Sequence, residues 1–128
     1  MELPAAFPAM ASSLHEIRAA VRGYADAAGA SPDVVAAAAL AVNEAATNAI
    51  VHGYDGGSPE QTIDIDVERN GTWLRFVVAD GGGGLRPRRD SPGVGLGLAI
   101  IAQCADELEL HERAGTGLEL RMAFRLAA

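Results

Sequence analysis

From Gln61 onward apolar and polar residues alternate: Ile63, Ile65 and Val67 are separated by Asp64, Asp66 and Glu68. A period of two is that of a strand with one wet face. Asn70-Gly71 is the strongest short hairpin signal, and Leu74, Phe76 and Val78 carry the alternation into a returning strand. Leu108 and Leu110, then Leu118, Leu120, Met122, Phe124 and Leu126, repeat it around a turn at 114–117. Residues 2–8 read as a further short strand. Elsewhere the period is helical. Ser13-Leu14-His15-Glu16 has the form of a capping box, and Leu14, Ile17, Val21 and Tyr24 carry a first helix to about Gly29, which stands at the C-cap position. Ser31-Pro32-Asp33 is a second start signal, for a helix ending at Gly53. A turn-rich loop covers 54–59 and a Gly-, Arg- and Pro-rich loop covers 80–92. A third helix over about 95–106 carries Leu96, Leu98, Ile100 and Ile101. The expected fold is α+β, a two-layer α/β sandwich with one mixed sheet covered on one face by helices. No repeat or long linker divides it, so residues 1–128 read as one domain.

Within the second helix, Glu44, Asn48 and His52 are spaced four residues apart. A step of four turns about 400° at helical pitch, so each is offset from the last by only about 40° and they share a face. Alanines at 36–39, 41, 45, 46 and 49 surround them. A carboxylate and a carboxamide on such a helix are costly unless something satisfies them, and a metal ion, a nucleotide or a reacting hydroxyl would do so. A structural polar pair is the plainer alternative. His52 stands near a helix end, where a histidine also simply favours the helix dipole.

Charge narrows the chemistry. The net charge is −7 and all ten basic residues are arginine. Without lysine there is no Walker-type phosphate loop and no Schiff-base amine. An acidic balance also argues against sequence-independent nucleic-acid binding. Arg86, Arg88 and Arg89 form the one basic cluster, either a solvated loop or a phosphate or partner contact. Cys104 is the single cysteine, which excludes an internal disulfide, and its apolar helix suggests packing. His15 and His111 read as surface residues. No apolar run approaches the roughly 18 residues of a membrane span, and MELPAAFPAM lacks the features of a signal peptide, so a cytoplasmic protein is expected.

Two glycine runs follow the second helix. Asp80-Gly81-Gly82-Gly83-Gly84 closes a strand. Its glycines let backbone approach a flat ligand, and its acid can accept from an exocyclic amine such as that of adenine. Gly93-Val94-Gly95-Leu96-Gly97 opens the third helix, where unobstructed N–H groups suit a phosphate. Either run alone is also what a flexible loop looks like.

Glu44-xxx-Asn48, Asp80-x-Gly82-x-Gly84 and Gly93-x-Gly95-Leu96-Gly97-Leu98 resemble, in order, the N, G1 and G2 boxes of the GHKL ATPase superfamily. The chain is most similar to its short anti-sigma-factor serine/threonine kinase branch. An opening helix with Arg18 and Arg22, the segment from Leu40 to Tyr54, and a lid of only about eight residues (Leu85 to Pro92) carry that resemblance. It implies a Bergerat-type ATP-binding fold, with ATP and Mg²⁺ as ligands. Asn48 would ligate the metal, Glu44 would orient or deprotonate the attacking hydroxyl, and Asp80 would read adenine. Gly82 and Gly84 would shape the adenine pocket; Gly93, Gly95 and Gly97 would receive the phosphates; Thr116 matches a family threonine near the adenine acid. The arginines at 86, 88 and 89 would compensate electrostatically for the short lid. The implied function is phosphorylation of a small anti-sigma-factor antagonist of the STAS type and capture of a sigma factor, without direct contact to nucleic acid or membrane. Relatives in this branch are commonly homodimers. A nucleotide-binding switch without significant kinase activity, and the catalytic module of a split histidine kinase, are the alternatives.

Overall fold

The computed structural model describes residues 3–54, 57–81, 93–112 and 117–127. Its strands are β1 (Ala5–Ala9), β2 (Ser58–Asn70), β3 (Trp73–Asp80), β4 (Glu107–Glu112) and β5 (Leu118–Arg125). They form one five-stranded sheet in the order β1-β2-β3-β5-β4. The helices α1 (Leu14–Ala27), α2 (Pro32–Asn48) and α3 (Gly93–Cys104) complete the two-layer α+β architecture. The sheet expected to be mixed has antiparallel ladders at every neighbouring pair. The reason lies in β5. The strands flanking α3, β3 and β4, run parallel to one another, but β5 returns between them and pairs antiparallel with both.

Alternation along the strands sorts the two faces. Phe7, Ile63, Ile65, Leu74, Phe76, Val78, Leu120, Met122 and Phe124 are buried under the helices. Asp64, Asp66, Glu68 and Arg75 face solvent, where Arg75 approaches Glu68 at 3.8 Å and Arg121 meets Glu119 at 2.7 Å. Phe76 is the aromatic centre, edge-on to Tyr24 (6.3 Å) of α1 and to Phe124 (6.2 Å) of β5. Leu110, on the edge strand, keeps 47 % of its surface exposed.

Two local signals were realised differently from their sequence reading. Ser13 lies in a 3₁₀ turn (Ala11–Ser13) and makes no side-chain cap. Its hydroxyl instead donates to the Pro8 carbonyl at 2.7 Å, tying the helix start to β1. The hairpin turn falls on Gly71-Thr72, because Asn70 pairs with Trp73 and Gly71 takes the positive φ (63°). By contrast Ser31 is the cap expected: extended itself, it accepts from the Val34 N–H (3.3 Å), with Pro32 following. Gly29, at φ 90°, terminates α1 as its position suggested.

Among the described residues, Pro32–His52 (21 residues) is long and apolar enough to cross a membrane, its most apolar 18-residue window having mean hydropathy 1.6. The expectation of no such stretch came from counting unbroken apolar runs, which Asn43, Glu44, Thr47 and Asn48 interrupt. The stretch belongs to the core. Ala38, Ala41, Val42, Ala45 and Ala46 are buried, and α2 packs on α1, α3, β3 and β5.

Replacing Phe76 by alanine removes a ring held by two aromatic neighbours in the closed core. Urea unfolding should register a loss of about 3–5 kcal/mol, with the slope of the transition unchanged. A loss below about 1 kcal/mol would mean that the two edge-on contacts and the core around them are not formed.

Candidate functional site

α2 carries the chemistry, and its position is fixed from its first residue. The Ser31 N–H donates to the Leu126 carbonyl (2.9 Å), while the Leu126 N–H donates to Thr72 in the hairpin turn (2.9 Å). The helix therefore starts at the hairpin end of the sheet. Its 17 residues extend about 25 Å at helical rise, close to the roughly 26 Å of the eight residues of β3. Past its end, Tyr54 meets Gly81, the residue that follows Asp80 at the end of β3. A π turn over Ala49–Gly53 closes it, with the Tyr54 N–H donating to Ala49 at 3.0 Å. One turn earlier the Thr47 hydroxyl takes the Asn43 carbonyl (2.7 Å), a local bond that competes with helical pairing.

Glu44 and Asn48 lie one turn apart on α2, as their spacing requires. Asn48 is 8 % exposed, and its buried Nδ2 has no hydrogen-bond partner among the described residues. Leaving a buried amide donor unpaired costs about 1–3 kcal/mol, so the position calls for a water, an anion or, with the amide turned over, a cation for its oxygen. Glu44 is half-buried. Its charge reaches Cys104 at the end of α3: burial pushes the Cys104 thiol up, and the Glu44 carboxylate pushes it further. Glu44 therefore lies within electrostatic reach of the end of α3. Beside it, Arg18 of α1 donates to Asn43 Oδ1 at 2.8 Å, bracing the same stretch from the other side. His52 lies half-buried in the π turn, where the constant α-helical pitch assumed for the Glu44-Asn48-His52 stripe no longer holds.

Asp80 ends β3 as a buried residue (6 % exposed), paired in register with Ile63 on one side and Leu118 on the other. Gly117, at φ 96°, lies so close that a Cβ there would fall 2.1 Å from the Asp80 carbonyl oxygen. That glycine is demanded by conformation and by space at once. The backbone of Gly93, Gly95 and Gly97 forms the first turn of α3, whose leading N–H groups have no partner within the helix. Gly82, Gly84, Thr116 and the arginines at 86, 88 and 89 lie outside the described residues. Among the described residues no cluster of three His, Cys, Asp or Glu could hold a metal, so a cation beside Asn48 would draw most of its ligands from water or from a bound anion.

Sequence reasoning did not single out Tyr54 or Gly117. Tyr54 hydroxyl accepts from the Gly81 N–H at 2.7 Å and donates to the Thr62 carbonyl at 3.0 Å. The available signals were an aromatic residue closing the helix and a glycine opening the last strand, both of which ordinary loops also supply.

With this geometry in place, the comparisons are specific. The chain belongs to the histidine kinase-like ATPase domain family, which matches residues 7–124. It is similar to the serine-protein kinase RsbW of Staphylococcus epidermidis, 29 % identical across 88 % of this chain and 80 % of that protein. RsbW of Staphylococcus aureus is 27 % identical over the same shares. In fold it resembles the RsbU and RsbW domains of Rv1364c from Mycobacterium tuberculosis, with TM-score 0.68 and 23 % identity. That likeness covers 95 % of this chain but only 32 % of the larger one. It also resembles a chain of the SiaB-SiaC complex from Pseudomonas aeruginosa, with TM-score 0.63 and 21 % identity over 94 % of this chain and 88 % of that one.

The coupling of Glu44 to Cys104 makes a prediction with a definite sign. A raised thiol pKa means less thiolate at a given pH, so Cys104 should alkylate with iodoacetamide more slowly than a free thiol at pH 8. Glu44→Gln removes the second of the two causes and should speed the reaction. An unchanged rate and pH profile would place Glu44 away from α3.

Proposed function

We propose that the chain is an ATP-dependent serine/threonine kinase of the anti-sigma-factor type, which phosphorylates a small STAS-type antagonist and sequesters a sigma factor in the cytoplasm. The observation that carries this reading is the amide of Asn48, whose buried Nδ2 has no hydrogen-bond partner among the described residues, one turn after Glu44 at the end of α2. Family membership and the similarity to RsbW, named a serine-protein kinase, support the activity. The SiaB-SiaC complex shows a chain of this fold holding a protein partner, which supports a partner of antagonist type.

The residues divide the work as follows. Asp80 accepts from the adenine amino group, with Gly82, Gly84 and Thr116 around the base. Gly93, Gly95 and Gly97 offer N–H groups to the phosphates at the start of α3. Asn48 would hold Mg²⁺ through its amide oxygen, a hard oxygen donor of the kind that ion takes. When bound, the ion neutralises charge on the phosphates. Glu44 orients the antagonist's hydroxyl and takes its proton as the new oxygen–phosphorus bond forms and the bond to ADP breaks. The chain acts as a homodimer, and residues 1–128 form a single domain.

Incubation with Mg²⁺, γ-labelled ATP and the antagonist encoded beside its gene should label that antagonist on serine or threonine, acid-stable and alkali-labile. Glu44→Ala should reduce transfer by about 100-fold or more with ATP still bound. Acid-labile label would turn the assignment to a split histidine kinase, and ATP binding without transfer would leave a nucleotide switch. Asp80→Asn should weaken ATP by about tenfold, with circular dichroism reporting the parental fold. Full affinity in that variant would remove the adenine role.

A further inference from the structure

β2 and β3 form a regular antiparallel ladder up to the pair Ile63 and Asp80. One rung further, Thr62 would oppose Gly81, the first glycine of the run. That rung is not closed by a direct backbone bond. The Tyr54 hydroxyl stands in it, accepting from Gly81 N–H (2.7 Å) and donating to the Thr62 carbonyl (3.0 Å). Two bonds in series hold donor and acceptor further apart than the roughly 2.9 Å of one direct bond, so the strands part where the glycine loop begins.

The hydroxyl is itself well held. Tyr54 N–H is bonded to Ala49 in the π turn, its carbonyl accepts from Gly57 N–H (3.0 Å), and its ring packs partly against the core. Across the corner, Gly117 leaves no free space: a Cβ there would come 2.1 Å from Asp80 O and 3.2 Å from Gly81 Cα. The Asp80-Gly81 corner is therefore gripped between a side chain that closes α2 and the backbone that opens β5.

We propose that Tyr54 is a positioning residue for nucleotide binding, whose hydroxyl fixes the first amide of the glycine loop and so the direction of Asp80 relative to Asn48. This rests on the nucleotide reading above. The bridge joins the end of α2 to the end of β3, the two elements that carry Asn48 and Asp80. Without it the Gly81 N–H turns to water, which satisfies it at little cost to the fold, but the loop leaves β3 without a fixed starting direction. The ring alone maintains the core contact. The hydroxyl carries the positioning.

Tyr54→Phe separates these roles. In nucleotide-free protein, the Gly81 amide should exchange about fivefold faster by NMR, with the unfolding midpoint close to that of the parent. Calorimetry with MgATP should show about three- to tenfold weaker binding, and in transfer assays KM for ATP should rise while kcat is kept. Unchanged exchange at Gly81 would overturn the bridge. Faster exchange with parental ATP affinity would overturn its service to the nucleotide, as would a fall in kcat alone. If the parent itself takes up no ATP, the nucleotide reading and the positioning role both fall, while exchange at Gly81 still reports whether the hydroxyl holds the loop.

Discussion

The placement of α2 against the sheet is the constraint on which the remaining geometry depends. Its N-cap residue, Ser31, is tied through Leu126 to the hairpin turn, and the residue after its closing π turn is tied to Thr62 and Gly81 at the opposite end. A helix fixed at both ends cannot slide along the strands beneath it. Sliding by a single turn would move Asn48 by about 5.4 Å relative to Asp80, enough to separate any two groups meant to hold one ligand. Small side chains make the fixed position possible. With alanine at buried positions 38, 39, 41, 45 and 46, α2 approaches α1 and the sheet closely, and larger core residues such as Phe76 and Met122 come from below.

Rigid placement also explains how Asn48 tolerates its surroundings. A buried amide without a partner is a standing cost, and a chain of this size has only about 5–15 kcal/mol of net stability from which to offset it. The cost is incurred at the end of α2, where helical pairing widens into a π turn, a distortion common at functional sites. The opposite face of the sheet differs in kind. There Arg75 pairs with Glu68 in solvent, an exposed pair that contributes little, while Arg121 and Glu119 pair half-buried.

Much of the fold was legible because it rests on periodicity. The alternation in β2, β3 and β5 follows from one buried face, and the Ser31-Pro32 start of α2 follows from the orphan N–H groups of any helix. Signals with a second outlet misled. Ser13 has the right residue type for a cap, but the Pro8 carbonyl of β1 lay within reach and took its hydroxyl. The apolar alternation of β4 is equally regular, yet Leu110 remains half-exposed because an edge strand need not be covered by a helix. The antiparallel character of every ladder could not be read locally either, since it depends on β5 inserting beside β3.

Alone, the sequence determined what each segment can be: an alanine-rich helix with an acid and an amide one turn apart, strands with one apolar face, and glycine runs in a fixed order. These properties depend on neighbours within a few residues, where pitch and capping set the geometry. Only the tertiary structure decided which groups meet. The Tyr54 hydroxyl reaches Gly81 across 27 positions, Glu44 acts on a thiol in another helix, and Gly117 must be glycine because Asp80 lies against it. Such encounters are fixed by how layers stack and strands are ordered, and no local pattern encodes them.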